Sequence, residues 1–284
     1  MISENKENLP FFYIILPTFN RPELVKRAVK SVISQKYENY QLIIFNDGST
    51  ESYIELENLI KSHSNIKYIK SHNIGINKSR NSILDTLTTS DASENSYFFT
   101  LSDDDYLTND SLATISAEIQ KYSSIWYCFN CTSNSQHLFS NIDFETYSQV
   151  SYSNFTKDYK GDKHFVFKLK KFKNIRYPAK HFKNGYEHIF YYQIPAKIYT
   201  IPKTVKIIEY YEDGLSRSDL YKNSLSFSTT LLQIKSAPLQ FVFYKQLLKY
   251  IFKPKNIIKE AISKERYYRI KKALGLQGEK RNKT

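Results

Sequence analysis

Apolar runs alternate with segments of helical periodicity through the first hundred residues. Stretches rich in β-branched and aromatic residues at 11–16, 42–45, 66–69 and 97–101 predict short strands. The segments between them predict helices over about 22–35, 51–62 and 76–87, and the first of these has an apolar residue at nearly every i, i+3, i+4 position. The order βαβαβαβ predicts an α/β fold, with helices on both faces of a mostly parallel sheet.

Three of the predicted strands end in short polar turns, at 17–21, 47–49 and 103–105. Ligands of such sheets bind beyond the carboxyl ends of the strands, so we expect the three turns to share one edge. Asn20 is expected to cap the first helix, whose first turn contains Pro22.

The third turn contains three consecutive carboxylates, Asp103, Asp104 and Asp105. Like charges this close raise pKa values or cost stability unless a cation lies among them, and their oxygens suit Mg²⁺ or Mn²⁺. The alternative is a solvated acidic turn before the next helix, which Asn109 or Asp110 would cap. A nucleotide diphosphate with a divalent cation would suit the shared edge, where Phe19 could pack on a base.

The charge of the chain is uneven, although the formal net charge is +13. Residues 1–156 carry 12 basic and 18 acidic side chains, whereas residues 157–206 and 239–284 each carry 13 basic and three acidic ones. A nucleic-acid binder usually spreads its basic surface over the folded domain, so no nucleic-acid partner is expected. The chain shows no signal-peptide pattern and no run of about 20 apolar residues.

Two cysteines, Cys128 and Cys131, lie in the aromatic run Ile-Trp-Tyr-Cys-Phe-Asn-Cys. A zinc site would need two further ligands at suitable spacing, and a redox pair would need a strand-to-helix turn. The sequence therefore predicts two buried strand cysteines in a reducing compartment.

Four ordered motifs give the chain a family resemblance. They are Pro-Thr-Phe-Asn-Arg-Pro at 17–22, Asn-Asp-Gly-Ser at 46–49, Asn-x-Gly-x-x-x-Ser-Arg-Asn at 73–81 and Leu-Ser-Asp-Asp-Asp at 101–105. Together they resemble the family 2 inverting glycosyltransferases of the GT-A fold. Further stretches at 161–163, 182–187 and 211–216 are similar to a bacterial surface-polysaccharide branch, so the resemblance covers roughly 11–220.

The resemblance implies a site for a UDP-sugar. Asp47 would read the uracil edge, Asp104 would bind mainly ribose, and Asp105, assisted by Asp103, would hold Mn²⁺ or Mg²⁺. The remaining contacts with the nucleotide would come from Pro17, Phe19, Arg21 and Arg80. Ser102 stands where the family often has its first acidic residue, which leaves open which aspartate pair binds the metal.

The resemblance also implies a catalytic base at Glu187. Many relatives have Asp at the next position, where this chain has His188, so His188 remains an alternative. Inverting transfer is a single displacement that needs one general base opposite the leaving group. Lys163, Ser216 and Arg217 are candidates for neutralising the leaving diphosphate, the last two on a loop that could close over the donor. For Lys163 and Arg217, a solvated surface cation is an equal alternative.

The expected enzyme transfers a hexose or N-acetylhexosamine to a glycan acceptor, expected to be lipid-linked, in surface polysaccharide, O-antigen, capsule or lipooligosaccharide synthesis. The predicted organisation is a loose N-terminus (1–10), a nucleotide-sugar half (11–130), an acceptor-side half with the base and lid (131–238), and a tail (239–284). The tail predicts amphipathic helices over about 239–252 and 257–274, with lysines beside apolar residues. Such helices suit an anionic membrane surface, here the cytoplasmic face of the inner membrane, although they could instead pack on the domain or a partner.

Two other functions are consistent with parts of the sequence. A sugar-nucleotide nucleotidyltransferase shares a doubly wound sheet with an acidic metal site, but it would need a glycine-rich loop after the first strand, and 17–22 contains no glycine. A non-enzymatic protein that binds membranes or nucleic acid would explain the net charge alone.

Overall fold

The structure is a computed structural model, and it describes residues 9–134, 141–178, 187–211 and 227–252. By its internal contacts the chain divides into two compact units, 1–218 and 219–284. The predicted boundaries at 131 and 239 remain predictions.

The first half of unit 1 alternates strands with helices in the predicted order. Four parallel strands belong to this part: β1 (Phe11–Thr18), β2 (Tyr40–Asp47), β3 (Ile66–Ser71) and β4 (Ser96–Thr100). The helices between them are α1 (Pro22–Ile33), α2 (Ile54–Ile60) and α3 (Ile76–Thr89). The α/β prediction is therefore confirmed, and the element boundaries differ from the prediction by a few residues.

The second half of unit 1 adds antiparallel pairs to the sheet. Its elements are β5 (Tyr106–Leu107), α4 (Ser111–Lys121), β6 (Trp126–Ser133), β7 (Ser148–Val150), α5 (Tyr152–Asp158), β8 (His164–Lys168), a 3₁₀ turn (Leu169–Phe172), α6 (Glu187–Tyr192) and β9 (Ile198–Ile208). Within the described residues the strand order is β3-β2-β1-β4-β8-β6-β9-β5, and β7 also pairs with β9. β8 runs antiparallel to β4 and β6, so the sheet is mixed.

Alternate residues of the strands separate the core into two layers. Phe12, Ile14 and Leu16 of β1 face one side of the sheet, together with the apolar stripe of α1. Ile15 faces the other side with residues of α3 and with Trp126. Successive side chains of a strand point to opposite faces of the sheet, which explains this alternation. Each fully buried Val, Leu, Ile or Phe side chain contributes roughly 1.5–3 kcal/mol to the free energy of unfolding. The two layers fix the strand ends that carry the candidate site.

Cys128 and Cys131 are both buried and free within β6, which confirms the prediction that they are strand cysteines. Burial raises the pKa of the Cys131 thiol to about 12, so this group stays protonated near neutral pH.

Unit 2 is described over two helices, α7 (Phe227–Ser236) and α8 (Phe241–Ile251). The second confirms the helix predicted at 239–252, whereas the helix predicted at 257–274 lies outside the described residues, as does most of the loose N-terminus. In the parts of the chain that the structure covers, no helix has the length and apolar character needed to cross a bilayer.

Candidate active site

The end of β1 and the turn that follows it connect the aspartate turn to Tyr53, the residue before α2. Thr18 Oγ1 donates to Asp103 Oδ2 at 3.0 Å and shares a 2.9 Å hydrogen bond with the Tyr53 hydroxyl. The backbone N–H of Arg21 also donates to that hydroxyl, at 3.0 Å. Three separate stretches of sequence therefore meet at the carboxyl end of β1.

Asn20 joins the first and second polar turns. Its backbone N–H donates to Ser49 Oγ at 2.9 Å, and its Oδ1 accepts from the Thr50 N–H at 2.8 Å. Arg21 rather than Asn20 occupies the N-cap of α1, and no side chain caps that end. Asn20 has φ +53°, a left-handed conformation that Asn tolerates, so its side chain turns toward the second loop and the predicted capping role is wrong.

Asp47 is buried at the end of β2, where it holds the glycine turn before α3. Its Oδ1 accepts from the Ile74 N–H at 2.7 Å and its Oδ2 from the Gly75 N–H at 2.9 Å. Gly48 follows with φ +77°, and a Cβ there would lie 2.3 Å from the backbone nitrogen of Asn73. Only glycine fits this close approach, which keeps the second polar turn in contact with the glycine turn at 73–75.

Arg21 bridges two of the three aspartates. Its Nη1 lies 2.9 Å from Asp104 Oδ2 and 3.4 Å from Asp103 Oδ1. The first and third polar turns are therefore joined by an ion pair, at the sheet edge where the sequence predicted them to meet.

Asp105 is buried and is paired with a lysine. Its Oδ2 accepts a 2.7 Å hydrogen bond from Lys206 Nζ, and both side chains are almost completely buried. Lys206 lies on β9, 101 positions along the chain. The third aspartate thus has its own counter-ion.

The backbone of the aspartate turn is held by a further cation. Arg27 of α1 donates from Nη2 to the Asp104 carbonyl at 2.6 Å and from Nη1 to Glu209 Oε2 at 2.6 Å. Glu209 follows β9 and also accepts from the Tyr106 and Tyr211 hydroxyls. This chain of bonds fixes the turn between α1 and the end of β9.

Burial changes the acidity of two of the aspartates. Burial and the neighbouring Asp104 charge raise the pKa of Asp103 to about 6, against the opposing effect of Arg21. Burial likewise raises the pKa of Asp105 to about 6, although the Lys206 ammonium favours its ionised form. Both are therefore ionised near pH 7, at a cost in free energy that a bound cation would reduce.

Glu187, the candidate base, begins α6 and pairs with Arg80. Arg80 Nη1 donates to Glu187 Oε1 at 2.7 Å; the Arg80 side chain is 5% exposed and that of Glu187 is 40% exposed. The Arg80 guanidinium also lies 5.1 Å from the centre of the Tyr177 ring. A buried cation therefore fixes a carboxylate that solvent and a substrate can still reach.

Helix α3 holds both ends of the segment that leads to Glu187. Asn77 Nδ2 donates to the Pro178 carbonyl at 3.2 Å, and Asn81 bonds to both the carbonyl and the N–H of Tyr177. Arg80 holds the other end at Glu187. The motif at 73–81 therefore connects Asp47, through its first turn, to the candidate base.

The ion pair also sets the acidity of Glu187. Burial alone would raise its pKa, but the charge and hydrogen bond of Arg80 outweigh burial and lower it. Burial lowers the pKa of the neighbouring His188, against the opposing Glu187 charge, so His188 is neutral near pH 7. Both side chains are thus in a form that can accept a proton.

The aspartate turn fits a divalent cation that is shared with a ligand. Within the described ranges, no three His, Cys, Asp or Glu side chains are grouped as a metal site. The Asp103 and Asp104 carboxylates nevertheless converge on one point, now taken by Arg21 Nη1. Mg²⁺ sites commonly use one or two carboxylates together with substrate phosphates, and this pair suits that arrangement.

The other predicted site residues are placed as follows. Pro17 is buried within β1, and Phe19 is 44% exposed in the turn that follows. Lys163 is buried; its Nζ bonds to Asn141 Oδ1 and lies 3.3 Å from Asp143 Oδ1. It therefore has partners outside the aspartate turn, and a phosphate-binding role stays a prediction. Ser216 and Arg217 lie outside the described residues.

Several contact residues were not predicted from the sequence, among them Thr18, Tyr53, Arg27 and Lys206. Thr18 lies inside the predicted polar turn at 17–21, and this position already indicated that it belongs to the site. Lys206 lies between Val205 and Ile207, and burial within a strand could have been inferred from those apolar neighbours. Tyr53 and Arg27 carry no local signal, because their partners are distant in sequence.

Comparison with solved structures supports the fold. The TarS protein of S. aureus in complex with UDP-GlcNAc superimposes with a TM-score of 0.65 at 18% identity, covering 85% of this chain and 71% of that one. TarS with UDP gives a TM-score of 0.63 at 16% identity, over 85% and 70% of the two chains. The architecture is therefore GT-A-like.

Two curated proteins are similar in sequence. The glycosyltransferase GlyA of Streptococcus pneumoniae is 23% identical over 83% of this chain and 37% of its own length. The GalNAc(5)-diNAcBac-PP-undecaprenol β-1,3-glucosyltransferase of Campylobacter jejuni is 28% identical over 62% of this chain and 57% of its own length. The chain thus spans less than two thirds of either relative.

The described site lies largely within the region matched by a family model. The model for glycosyl transferase family 2 matches residues 13–192, which is well over half of the chain and includes Asp47, the aspartate turn and Glu187. The resemblance seen in the sequence is confirmed, and the chain belongs to glycosyl transferase family 2.

Proposed function

We propose that this protein transfers a hexose or N-acetylhexosamine from a UDP-sugar to a glycan acceptor, with inversion at the anomeric carbon. The observation that carries the proposal is the Arg21 bridge to Asp103 and Asp104, which joins two strand-end turns at the ligand-binding edge of the sheet. The TarS structures in complex with UDP and UDP-GlcNAc are similar to this chain and support the choice of donor.

The donor would lie across the three polar turns. Phe19 is exposed and available to pack on the base, and Asp47 lies at the end of the adjacent strand. Both Asp47 oxygens already accept a backbone N–H, and a carboxylate oxygen can accept a second hydrogen bond, here from a uracil N–H. Asp104 would bind ribose. Arg80 would act on the donor only indirectly, since its Nη1 is engaged by Glu187.

The aspartate turn would hold Mn²⁺ or Mg²⁺ together with the diphosphate of the donor. A bound cation would supply charge neutralisation for the leaving diphosphate. Arg21 is the cation of the chain that already lies between Asp103 and Asp104, so it would move toward the phosphates or share them. Lys163, Ser216 and Arg217 remain proposed helpers at the phosphates.

Glu187 would take the proton from the acceptor hydroxyl as that oxygen attacks the anomeric carbon. A carboxylate that is 40% exposed and oriented by a buried arginine is accessible and pre-organised for this role. His188 stays the alternative base, because it adjoins Glu187 and is neutral near pH 7.

The acceptor would be a glycan on a lipid carrier in bacterial surface-polysaccharide synthesis. The name of the Campylobacter relative describes an undecaprenol-diphosphate-linked acceptor, which supports this choice. The 13 basic residues of 157–206 would favour an anionic lipid diphosphate.

We also propose that residues 239–284 bind an anionic membrane surface, at the cytoplasmic face of the inner membrane. Besides Val242, the exposed large apolar residues of α8 are Phe241, Tyr244, Leu248, Ile251 and, just beyond it, Phe252. At 100° per residue these five fall within one arc of about 100°, and the exposed lysines Lys245 and Lys249 border that arc. An apolar face with a basic margin suits a helix lying in a lipid interface.

A nucleotide-sugar binding screen tests the proposed function. The protein is melted with UDP-glucose, UDP-galactose, UDP-GlcNAc and UDP-GalNAc, each with Mn²⁺ or with EDTA, and UDP release is then measured with the best binder. A donor at 100 times its Kd stabilises the fold by about 2.7 kcal/mol, which raises the melting temperature by a few degrees. If no nucleotide sugar raises the melting temperature and none is hydrolysed or transferred, the proposal is wrong.

A further inference from the structure

We propose that Asp105 is an internal anchor and not a cation ligand: its ion pair with Lys206 positions the aspartate turn so that Asp103 and Asp104 face the donor and its cation. This inference rests on the proposed function, because it assigns roles within the same site. It reverses the sequence-based expectation that Asp105 is the main metal ligand.

The three carboxylates differ in solvent exposure. The side chain of Asp105 is 8% exposed, whereas those of Asp103 and Asp104 are 13% and 22% exposed. The ammonium of Lys206 occupies Oδ2 of Asp105 at 2.7 Å, and the lysine side chain is itself 9% exposed. A cation bound at Asp105 would have to displace a buried lysine, whereas a cation bound at Asp103 and Asp104 would have to displace Arg21, whose side chain is more exposed, at 19%.

The path of β9 explains why Lys206 reaches Asp105. Along β6 and β9, Phe129 lies opposite Ile201, Asn130 opposite Thr204 and Cys131 opposite Lys206, so β9 has extra residues relative to its partner. An irregular register of this kind changes the direction in which the side chains of the strand point. Lys206 also lies opposite Leu107 of β5, two residues beyond Asp105. The sheet therefore carries the lysine to the base of the aspartate turn, whereas Lys203, on the same strand, stays exposed.

The anchor acts together with two other cations of the chain. Arg27 holds the Asp104 carbonyl, and Arg21 binds the carboxylates of Asp103 and Asp104. Of these three cations, Lys206 is the buried one, and Arg21 lies where a donor phosphate could replace it. Lys206 is thus a positioning residue, which acts on the donor through Asp105 and the turn.

The test measures Mn²⁺ binding in the presence of UDP, with free Mn²⁺ followed by its electron paramagnetic resonance signal. Asp104→Asn and Asp105→Asn are matched isosteric variants, and in the second the amide oxygen could still accept from Lys206. We expect Asp104→Asn to weaken Mn²⁺–UDP binding at least tenfold and Asp105→Asn to change it less than about threefold. A folded Asp105→Asn protein that loses tenfold or more, while Asp104→Asn retains binding, overturns the inference.

Variants of Lys206 test the positioning role. Lys206→Gln keeps a hydrogen-bond donor but removes the charge, and we expect it to weaken Mn²⁺–UDP binding about three- to tenfold. Lys206→Arg should restore the affinity to within about threefold of wild type. If Asp105 were a cation ligand in competition with Lys206, Lys206→Gln would instead tighten Mn²⁺ binding, and that result contradicts the proposal.

Two controls keep these results interpretable. If the unpaired lysine prevents Asp105→Asn from folding, the double variant Asp105→Asn/Lys206→Met removes both charges, as in replacements of buried ion pairs that retain the fold. It should weaken Mn²⁺–UDP binding no more than Lys206→Gln does, about three- to tenfold, because the anchor is lost but no cation ligand is; a larger loss in a folded double variant would identify Asp105 as a cation ligand and contradict the proposal. Wild-type protein that binds neither UDP nor Mn²⁺–UDP overturns the proposed function itself, a result distinct from a changed pattern among the variants.

Discussion

Arg80 Nη1 lies 2.7 Å from Oε1 of Glu187, and the two residues are 107 positions apart in the chain. The arginine is buried within unit 1 and the carboxylate is partly exposed. The relationship connects a motif residue of α3, expected at the nucleotide, to the candidate base. It makes the acidity and orientation of Glu187 depend on Arg80.

Replacing the base should abolish transfer with little effect on donor binding. We expect Glu187→Gln to lower kcat by at least about 10²-fold, because general-base catalysis typically contributes 10²–10⁴. The UDP-dependent thermal shift should stay within a degree or two of wild type. His188→Asn is the matched control and should retain activity within about fivefold; the opposite ranking would make His188 the base.

Removing the Arg80 charge should move the acidic limb of the pH–rate profile upward. Arg80 lowers the pKa of Glu187 against the raising effect of burial, so Arg80→Met leaves burial unopposed and the pKa rises. Glu187 must be ionised to act as a base, and activity should therefore begin to fall at a higher pH than in wild type. The profile of kcat/KM between pH 4.5 and 8 measures this. Arg80→Lys should restore part of the shift, and an unchanged acidic limb would contradict the coupling.

Asp103→Asn should stabilise the metal-free protein, more so at higher pH. The pKa of folded Asp103 is about 6, whereas an unfolded aspartate titrates near 3.9, so the folded state holds its proton to a higher pH. Wild-type protein therefore has the full stability that this proton contributes below about pH 4, and it loses that stability as the pH rises through 6. Asparagine does not titrate, so the variant does not undergo this loss of stability. The melting temperature of the variant minus that of wild type, in EDTA, should rise between pH 4.5 and 7, by up to the equivalent of about 3 kcal/mol.

If the difference in melting temperature between Asp103→Asn and wild type does not change with pH, burial does not raise the pKa of Asp103. Mn²⁺–UDP binding by Asp103→Asn should fall in the same experiment, since the aspartate turn loses one of its two accessible carboxylates. Stability gained together with binding lost is typical of a functional site.

Gly48→Ala should be more destabilising than Gly75→Ala. Both glycines have positive φ, so alanine is strained at either position, by roughly 1–2 kcal/mol. A Cβ at Gly48 would also meet the Asn73 backbone at 2.3 Å, whereas a Cβ at Gly75 meets nothing within 4 Å. Thermal melts should therefore rank Gly48→Ala below Gly75→Ala. Equal melting temperatures would mean that the contact relaxes at no cost.

The exposed face of α8 should be needed for vesicle binding but not for folding. A triple variant Phe241→Ser/Leu248→Ser/Phe252→Ser removes apolar side chains that are 79%, 49% and 80% exposed. We expect it to lose at least tenfold in affinity for vesicles with about 30% anionic lipid, with a melting temperature close to that of wild type.

Ile54→Ser is the matched control, because Ile54 is a comparably exposed apolar residue of α2. It should bind vesicles as wild type does. Wild-type protein that stays unbound in a flotation assay, or a triple variant that floats normally, would refute the membrane role of α8.

The sequence by itself determined the order of strands and helices, the edge at which the polar turns gather, and the family. These follow from local information: an apolar period, a turn residue, a motif spacing. The predicted sharing of one sheet edge by the turns at 17–21 and 103–105 is of this kind, since it requires only that parallel strands end on the same side.

Only the tertiary structure decided which cation belongs to which carboxylate. Lys206 and Asp105 are 101 positions apart, and their contact depends on the irregular register of β6 and β9, which no residue pattern specifies. Arg80 fits equally well at a phosphate or at Glu187 until α3 and α6 are in place. The sequence does not show which lysine or arginine pairs with which carboxylate. Packing sets the burial of each charged side chain and its distance from the others, and these decide its partner.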